Sequence, residues 1–366
     1  MHRRPSSAPA PAADSAPAGG LVRIAVDAMG GDRAPKVPVA GAFAAAAGDG
    51  IHVLLVGQRE RVEPELEALG DHGGRIEVVQ ADEVVGMDEP ATTPLRKKRR
   101  SSIRIAAELV KSGEAQAMVT AGNTGAAMAA AMLVMGTIPG VDRPALAAVL
   151  PNRRGRTVLL DVGANVTTKP HHLRQFAVMG HFYAQEVLAT PSPRVGLMSV
   201  GEEEGKGTEL TREVFRVLKG AGLDFVGNVE GGDVFSGAAD VVVCDGFVGN
   251  VLLKSSESMA VMLAEMLEGE LRATRRTRLG ALLALPALRA LRQRTDPNSY
   301  GAAPLLGVQG GCFIGHGSST PTGIRNAVRR AMEFVVADLH TKIRQQMAVM
   351  HRQEERVMGA PGADGP

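Results

Sequence analysis

Residues 239–254, ADVVVCDGFVGNVLLK, decide the fold. Val241, Val242, Val243 and Cys244 form a short β-branched apolar run that suits a buried strand, and Asp245-Gly246 interrupts it. Val251, Leu252, Met259, Met262, Leu263 and Met266 then recur at helical spacing, so the stretch reads as strand, tight turn, helix. In a parallel α/β sheet such a junction lies at the carboxyl edge, where ligands bind and a helix start offers N–H groups to an anion. Asn250 and Lys254, four residues apart, share a face near that start. The alternative is an ordinary strand-to-helix turn with a surface lysine.

The same grammar repeats outward from this stretch. Leu21 to Ala28 leads into Met29-Gly30-Gly31-Asp32, Ala117 to Thr120 into Gly122-Asn123-Thr124-Gly125, and Thr157 to Leu160 into Asp161-Val162-Gly163-Ala164-Asn165. Cys312 to Ile314 leads into Gly315-His316-Gly317-Ser318-Ser319, with Thr320 and Pro321 as N-cap and first residue of a closing helix. Strands alternating with helices imply a mainly parallel sheet in a three-layer α/β/α arrangement. Residues 1–20 are expected to be a disordered extension and 349–366 a flexible tail, leaving 21–348 as a single domain with a helical hairpin inserted at about 269–297.

Two familiar nucleotide motifs are excluded. The first glycine turn is not GxGxxG, and GEEEGKGTEL at 201–210 fails the Walker spacing while placing three glutamates against any triphosphate. Lys206 remains a candidate for neutralising one anion. Aromatic residues make up 3% of the 366-residue chain and tryptophan is absent, which argues against stacking on single-stranded nucleic acid. Cys244 and Cys312 sit in apolar runs and read as buried thiols, and His171, His172 and His181 have no carboxylate or cysteine spaced to complete a metal set, so no metal is expected.

Two charged segments stand out. RKKRRSSIR at 96–104 reads as a solvated face or as a dock for an acidic partner or lipid headgroups. Farther on, Arg275, Arg276 and Arg278 precede, and Arg289 lies within, a greasy patch that includes Leu282, Leu283, Leu285 and Leu288 and is interrupted by Pro286. It is too short to span a bilayer and suits an interfacial anchor, a partner dock or a dimer interface.

IAVDAMGGD at 24–32, TAGNTGA at 120–126, DRPALA at 142–147, LLDVGAN at 159–165, SPRVGL at 192–197, GNVEGGD at 227–233, ADVVVCDGFVGN at 239–250 and HGSS at 316–319 fall in the order of one family. The chain resembles the bacterial acyl-carrier-protein:phosphate acyltransferases, the PlsX family, from Ile24 to the closing helix. The resemblance implies a homodimeric fold related to phosphate acetyltransferases and to isocitrate or isopropylmalate dehydrogenases. It also implies conversion of long-chain acyl carrier protein and inorganic phosphate to acyl phosphate without a cofactor, early in phospholipid synthesis. The implied place of work is the cytoplasm, peripherally on the inner face of the membrane, with the arginine-leucine hairpin as the matching segment.

On that reading phosphate is the nucleophile, and the site supplies position and electrostatics. Gly122, Thr124, Gly125, Asp245, Gly246, Gly317 and Ser318 are the expected phosphate cradle, with Lys206 or Lys254 offsetting its charge. Asn250, Asn123 or His316 is the expected donor to the developing oxyanion. All these turns are expected to converge at one sheet edge. Two other classes stay open: a nicotinamide-dependent hydroxy-acid dehydrogenase, which the glycine spacing disfavours, and a non-catalytic membrane-surface scaffold.

Overall fold

The computed structural model describes residues 20–48, 50–91, 96–296, 298 and 301–359. Eleven strands form one sheet: β1 (Val22–Asp27), β2 (Ile51–Gly57), β3 (Ile76–Gln80), β4 (Ala117–Thr120), β5 (Ala145–Asn152), β6 (Gly155–Leu160), β7 (Arg194–Met198), β8 (Asp224–Val229), β9 (Val241–Val243), β10 (Ala303–Leu306) and β11 (Gly311–Ile314). Their order is β3-β2-β1-β4-β11-β10-β5-β6-β9-β7-β8.

Period-two alternation divides the apolar residues between two faces. Ile24, Val26, Val53 and Leu55 point into a core shared with the helices Lys36–Ala46, Pro170–Glu186 and Pro321–Val336, while Ala25, Leu54 and Val56 meet the helix Ser102–Ser112 and the alanine-rich helix from Thr124. That is the expected three-layer sandwich. Phe176 and Tyr183 are fully buried on one face, each worth about 2–3 kcal/mol of apolar transfer.

The pairing contains a reversal that the sequence pattern conceals. β3, β2, β1, β4 and β11 are mutually parallel, and so are β6, β9, β7 and β8. Between them β10 is antiparallel to both β11 and β5, and β5 is antiparallel to β6. Ile314 at the end of β11 faces Ala303 at the start of β10, whereas Leu306 at the end of β10 faces Ala145, beside the end of β6. Three reversals in a row turn one wing against the other. The carboxyl ends of the two parallel wings therefore lie on opposite edges of the sheet.

The hairpin is larger than expected. Its arms are Gly246–Ala273 and Arg275–Thr295, joined at Thr274, so it begins at residue 246 rather than near 269, and the second arm runs through Pro286 without a break. At 1.5 Å per residue the 28-residue first arm extends about 42 Å. The last helix, Leu339–Gly359, likewise continues past residue 348, where a flexible tail is expected. Residues 1–19 of the expected extension and 360–366 of the tail lie outside the described residues.

Candidate functional site

Two clusters of turns form, one on each edge. The first gathers the turns after β1, β4 and β11 around a buried carboxylate. Asp27, 3% exposed, accepts the Met29 N–H at 3.1 Å on Oδ1 and the Thr120 hydroxyl at 2.8 Å on Oδ2. Thr120 Oγ1 in turn accepts the Gly122 N–H at 3.0 Å. Burial pushes the Asp27 carboxyl above the usual carboxylate range, while hydrogen bonds from Ser102, Thr120, Met29 and Gly30 oppose that shift. Gly30 is required here, because a Cβ would sit 2.7 Å from the Gly122 nitrogen. The third turn is stitched on by Gly315 N–H to Thr120 O at 2.7 Å and Asp32 N–H to Gly317 O at 2.9 Å. Arg33 adds a guanidinium bond to Ser319 O at 3.0 Å.

His316 sits exposed on that third turn. The Ser318 N–H donates to its Nδ1 at 3.3 Å, and the Ser318 hydroxyl lies 2.8 Å from the same nitrogen. Because a backbone N–H can only donate, Nδ1 is the acceptor, and the neutral ring carries its proton on Nε2, which is left to serve a substrate. Close by, the helix Thr124–Ala130 begins, and the Thr124 and Gly125 N–H groups have no partner among the described residues.

Asn123 does not fit the role expected of it. Its Oδ1 accepts the Ala126 N–H at 3.0 Å, and its amide donates to Met87 O at 2.8 Å and Glu89 O at 2.9 Å. Oxygen and amide are both committed to holding residues 86–89 against the helix start, so it is a clamp rather than an oxyanion donor. Met87 is held in turn over Gly317, where a Cβ would meet its Cε at 2.8 Å.

The second cluster lies on the opposite edge, after β6, β7 and β9. Asp161, fully buried, accepts N–H groups from Leu146, Gly163, Ala164 and Asn165, the last at 2.7 Å. Burial raises its carboxyl while these bonds pull the other way. Asp245 and Gly246 are corrected as phosphate ligands: the Asp245 carboxylate already caps the Phe247 and Val248 N–H groups at 2.9 Å, and the Gly246 N–H donates to Asn165 O at 2.8 Å. A helix start filled by its own carboxylate repels a second anion. Gly249 allows the close crossing, since a Cβ there would stand 1.9 Å from Asp161 O. Asn250 is exposed beside Gly163, Lys254 pairs with Glu257 at 2.9 Å, and Lys206 is exposed in the loop after β7.

Convergence of every predicted turn at one edge is thus overturned within the chain. Gly122, Asn123, Thr124, Gly125, His316, Gly317 and Ser318 come together; Lys206, Asp245, Gly246, Asn250 and Lys254 do not join them. Sequence reasoning missed Asp27, Thr120, Asp32, Arg33 and Met87. The aspartate could have been found as a lone acid ending an otherwise apolar strand.

The histidines need one correction too. Folding brings Asp142 Oδ2 to 3.5 Å from His171 Nε2, a carboxylate partner that spacing hides, and His172 completes a trio able to hold an ion. The Asp142 carboxylate is already bound by Gln175 at 3.0 Å, and His172 Nδ1 accepts the Lys169 N–H at 3.1 Å. Burial and the neighbouring His171, Arg143 and Lys169 charges hold His172 below its usual value, so the trio reads as a surface network.

On the hairpin, Arg275, Arg276, Arg278, Arg289, Leu282 and Leu283 are exposed, while Leu285 and Leu288 are half-buried. Phe247, Val251, Met259, Met262, Leu263 and Met266 add a further apolar surface along the first arm. No described helix is long and apolar enough to cross a membrane.

Solved structures define the class of fold. A phosphotransacetylase from Streptococcus pyogenes aligns with a TM-score of 0.59 at 17% identity, covering 86% of this chain and 95% of that one. The EutD phosphotransacetylase from Staphylococcus aureus aligns at 0.53 and 14%, over 86% and 94%. The chain has the phosphotransacetylase fold. Residues 22–342 match the family described as fatty acid synthesis protein, and the chain belongs to it. Relatives named phosphate acyltransferase include one from Acidobacterium capsulatum, 50% identical over 90% of this chain and 98% of that protein, and one from Heliobacterium modesticaldum, 52% identical over 86% and 94%.

Proposed function

We propose that this chain transfers a long-chain acyl group from the thioester of acyl carrier protein to inorganic phosphate, giving acyl phosphate and free carrier thiol. Close identity to phosphate acyltransferases over nearly their full length supports the reaction class. The observation that best supports placing the chemistry at the first cluster is that His316, with a free ring N–H, stands beside the open helix start at Thr124 and Gly125.

Phosphate is anionic at neutral pH and needs no base to become a nucleophile. The cluster positions it against the thioester carbonyl, with the Thr124, Gly125 and Gly317 backbone as cradle and Arg33 as the nearby cation. The carbonyl oxygen gains negative charge as the P–O–C bond forms, and His316 Nε2–H donates to it. Collapse expels the thiolate, a fair leaving group since thiols ionise near pKa ~8.5. Asp27 and Asn123 hold these parts without touching the reactants.

The exposed apolar arm 246–273 supports a homodimer through that face, and the arginine-leucine tip supports contact with an anionic membrane surface, because large exposed apolar patches mark interaction sites. A soluble enzyme meeting the inner membrane peripherally in the cytoplasm follows from this reading. The test is incubation with palmitoyl carrier protein and phosphate. Release of carrier thiol that requires phosphate supports the assignment, and release at the same rate without phosphate refutes it.

A further inference from the structure

The basic run at 96–104 has no place in the chemistry described above, yet it is bolted to the cluster that performs it. The Lys98 ammonium binds Glu89 at 2.5 Å and Val84 O at 2.9 Å. The Arg100 guanidinium pairs with Asp82, and the Arg100 backbone N–H donates to the Glu83 carboxylate at 2.8 Å. Hydrogen bonds from Gln80 and then Arg100 hold Asp82 below the usual carboxylate range, and those from Lys98 and then the Gly86 N–H do the same for Glu89, so these two cations are used internally. Glu89 O receives the Asn123 amide, and Ser102, within the run, bonds the Asp27 carboxylate. The run is therefore tied at one end to the clamp over Gly317 and at the other to the buried hub.

Arg104 pairs with Glu108 at 2.9 Å, which leaves Arg96, Lys97 and Arg99, all exposed and with no carboxylate partner among the described residues. Ile103, the apolar residue of the segment, is buried, so the surface offers charge without an insertion wedge. Charge without grease suits an acidic protein rather than a lipid boundary, for which the hairpin has both.

We propose that Arg96, Lys97 and Arg99 form the docking surface for the acidic protein that carries the acyl thioester, placing its cargo at the mouth of the His316 cluster. This rests on the reading of the reaction given above, and it adds where the donor lands. Steering by the cations raises the encounter rate and falls with salt.

The experiment compares the full-length protein with its Arg96→Glu/Lys97→Glu/Arg99→Glu variant, using fluorescently labelled acyl carrier protein, turnover of palmitoyl carrier protein, and vesicles of phosphatidylglycerol in phosphatidylcholine. A milder Arg96→Gln/Lys97→Gln/Arg99→Gln variant guards against a folding fault. The expected result is carrier binding weakened about tenfold or more in the Glu variant and less in the Gln variant, with KM raised in step and kcat within about twofold. Wild-type binding weakens with added salt, the Glu variant's does not, and vesicle association is unchanged. Carrier binding equal in all three proteins overturns the proposal, as does loss of vesicle association with carrier binding intact. Wild-type binding without phosphate-dependent turnover would sink the reaction while the binding comparison still decides the dock.

Discussion

Replacing the half-buried Asn123 by alanine separates the two roles that an asparagine at this sheet edge can play. The structure gives it one cap bond, to Ala126 N–H at 3.0 Å, and two amide bonds, to Met87 O at 2.8 Å and Glu89 O at 2.9 Å. Losing the cap costs about 1 kcal/mol, and each amide bond contributes about 0.5–1.5 kcal/mol, giving a total of about 2–4 kcal/mol. At an unfolding entropy of about 2.1 cal/mol/K per residue, a chain of 366 residues loses about 1.3 °C per kcal/mol, so the melting temperature should fall by about 3–5 °C. Asn123→Ser keeps a capping oxygen and should fall between alanine and wild type. Asn123→Asp also keeps the cap but turns a carboxylate on two carbonyl oxygens, and should melt no higher than alanine. Differential scanning calorimetry with thiol-release kinetics on the same preparations reads both effects. Asn123→Ala with an unchanged melting temperature and kcat down 100-fold would make the residue a donor to the reactants and refute the clamp.

Three further outcomes are expected. Gly249→Ala drives a Cβ to 1.9 Å from Asp161 O and should destabilise by about 3 kcal/mol or more, read as a lower urea midpoint; a normal midpoint would show that the crossing relaxes cheaply. Burial pushes the Cys312 thiol up to about 12 and the Cys244 thiol well above its ordinary range, so neither should react with a thiol reagent at about pH 8 until the protein is denatured, and rapid native labelling of either would contradict their packing. The raised Asp27 carboxyl holds its proton in the folded state at pH values where the unfolded chain, titrating near 3.8, has lost it. Its contribution to stability therefore falls as pH rises from 3.8 through the folded-state value and is flat above it, and Asp27→Asn should flatten that part of the urea-midpoint profile. An identical slope in the variant would assign the pH dependence elsewhere.

Much of the fold was legible because strands such as Val241–Val243 and helices such as Pro321–Val336 carry their period in the chain. The reversal at β10, β5 and β6 was not, because strand direction is set by which edges pair and leaves no mark in composition. That one fact divides the candidate site. His316 and Asn123 share an edge, and Asp245, Asn250 and Lys254 begin on the other, although the local grammar of all three turns is the same. Asp245 shows a second limit: an aspartate before a helix can leave N–H groups open or fill them itself, and only its rotamer tells which. The helix beginning at Gly246 was legible from its apolar spacing, but its unbroken run to Ala273 as the first arm of the hairpin was not.

The most direct test sets His316→Ala beside Lys254→Ala and measures kcat for phosphate-dependent release of carrier thiol from palmitoyl carrier protein. Loss of the ring donor should lower kcat by about 100-fold or more, while the lysine variant stays within about threefold of wild type, because Lys254 lies on the far edge and pairs with Glu257. A near-normal His316→Ala beside a crippled Lys254→Ala would move the chemistry to the opposite edge and contradict the account.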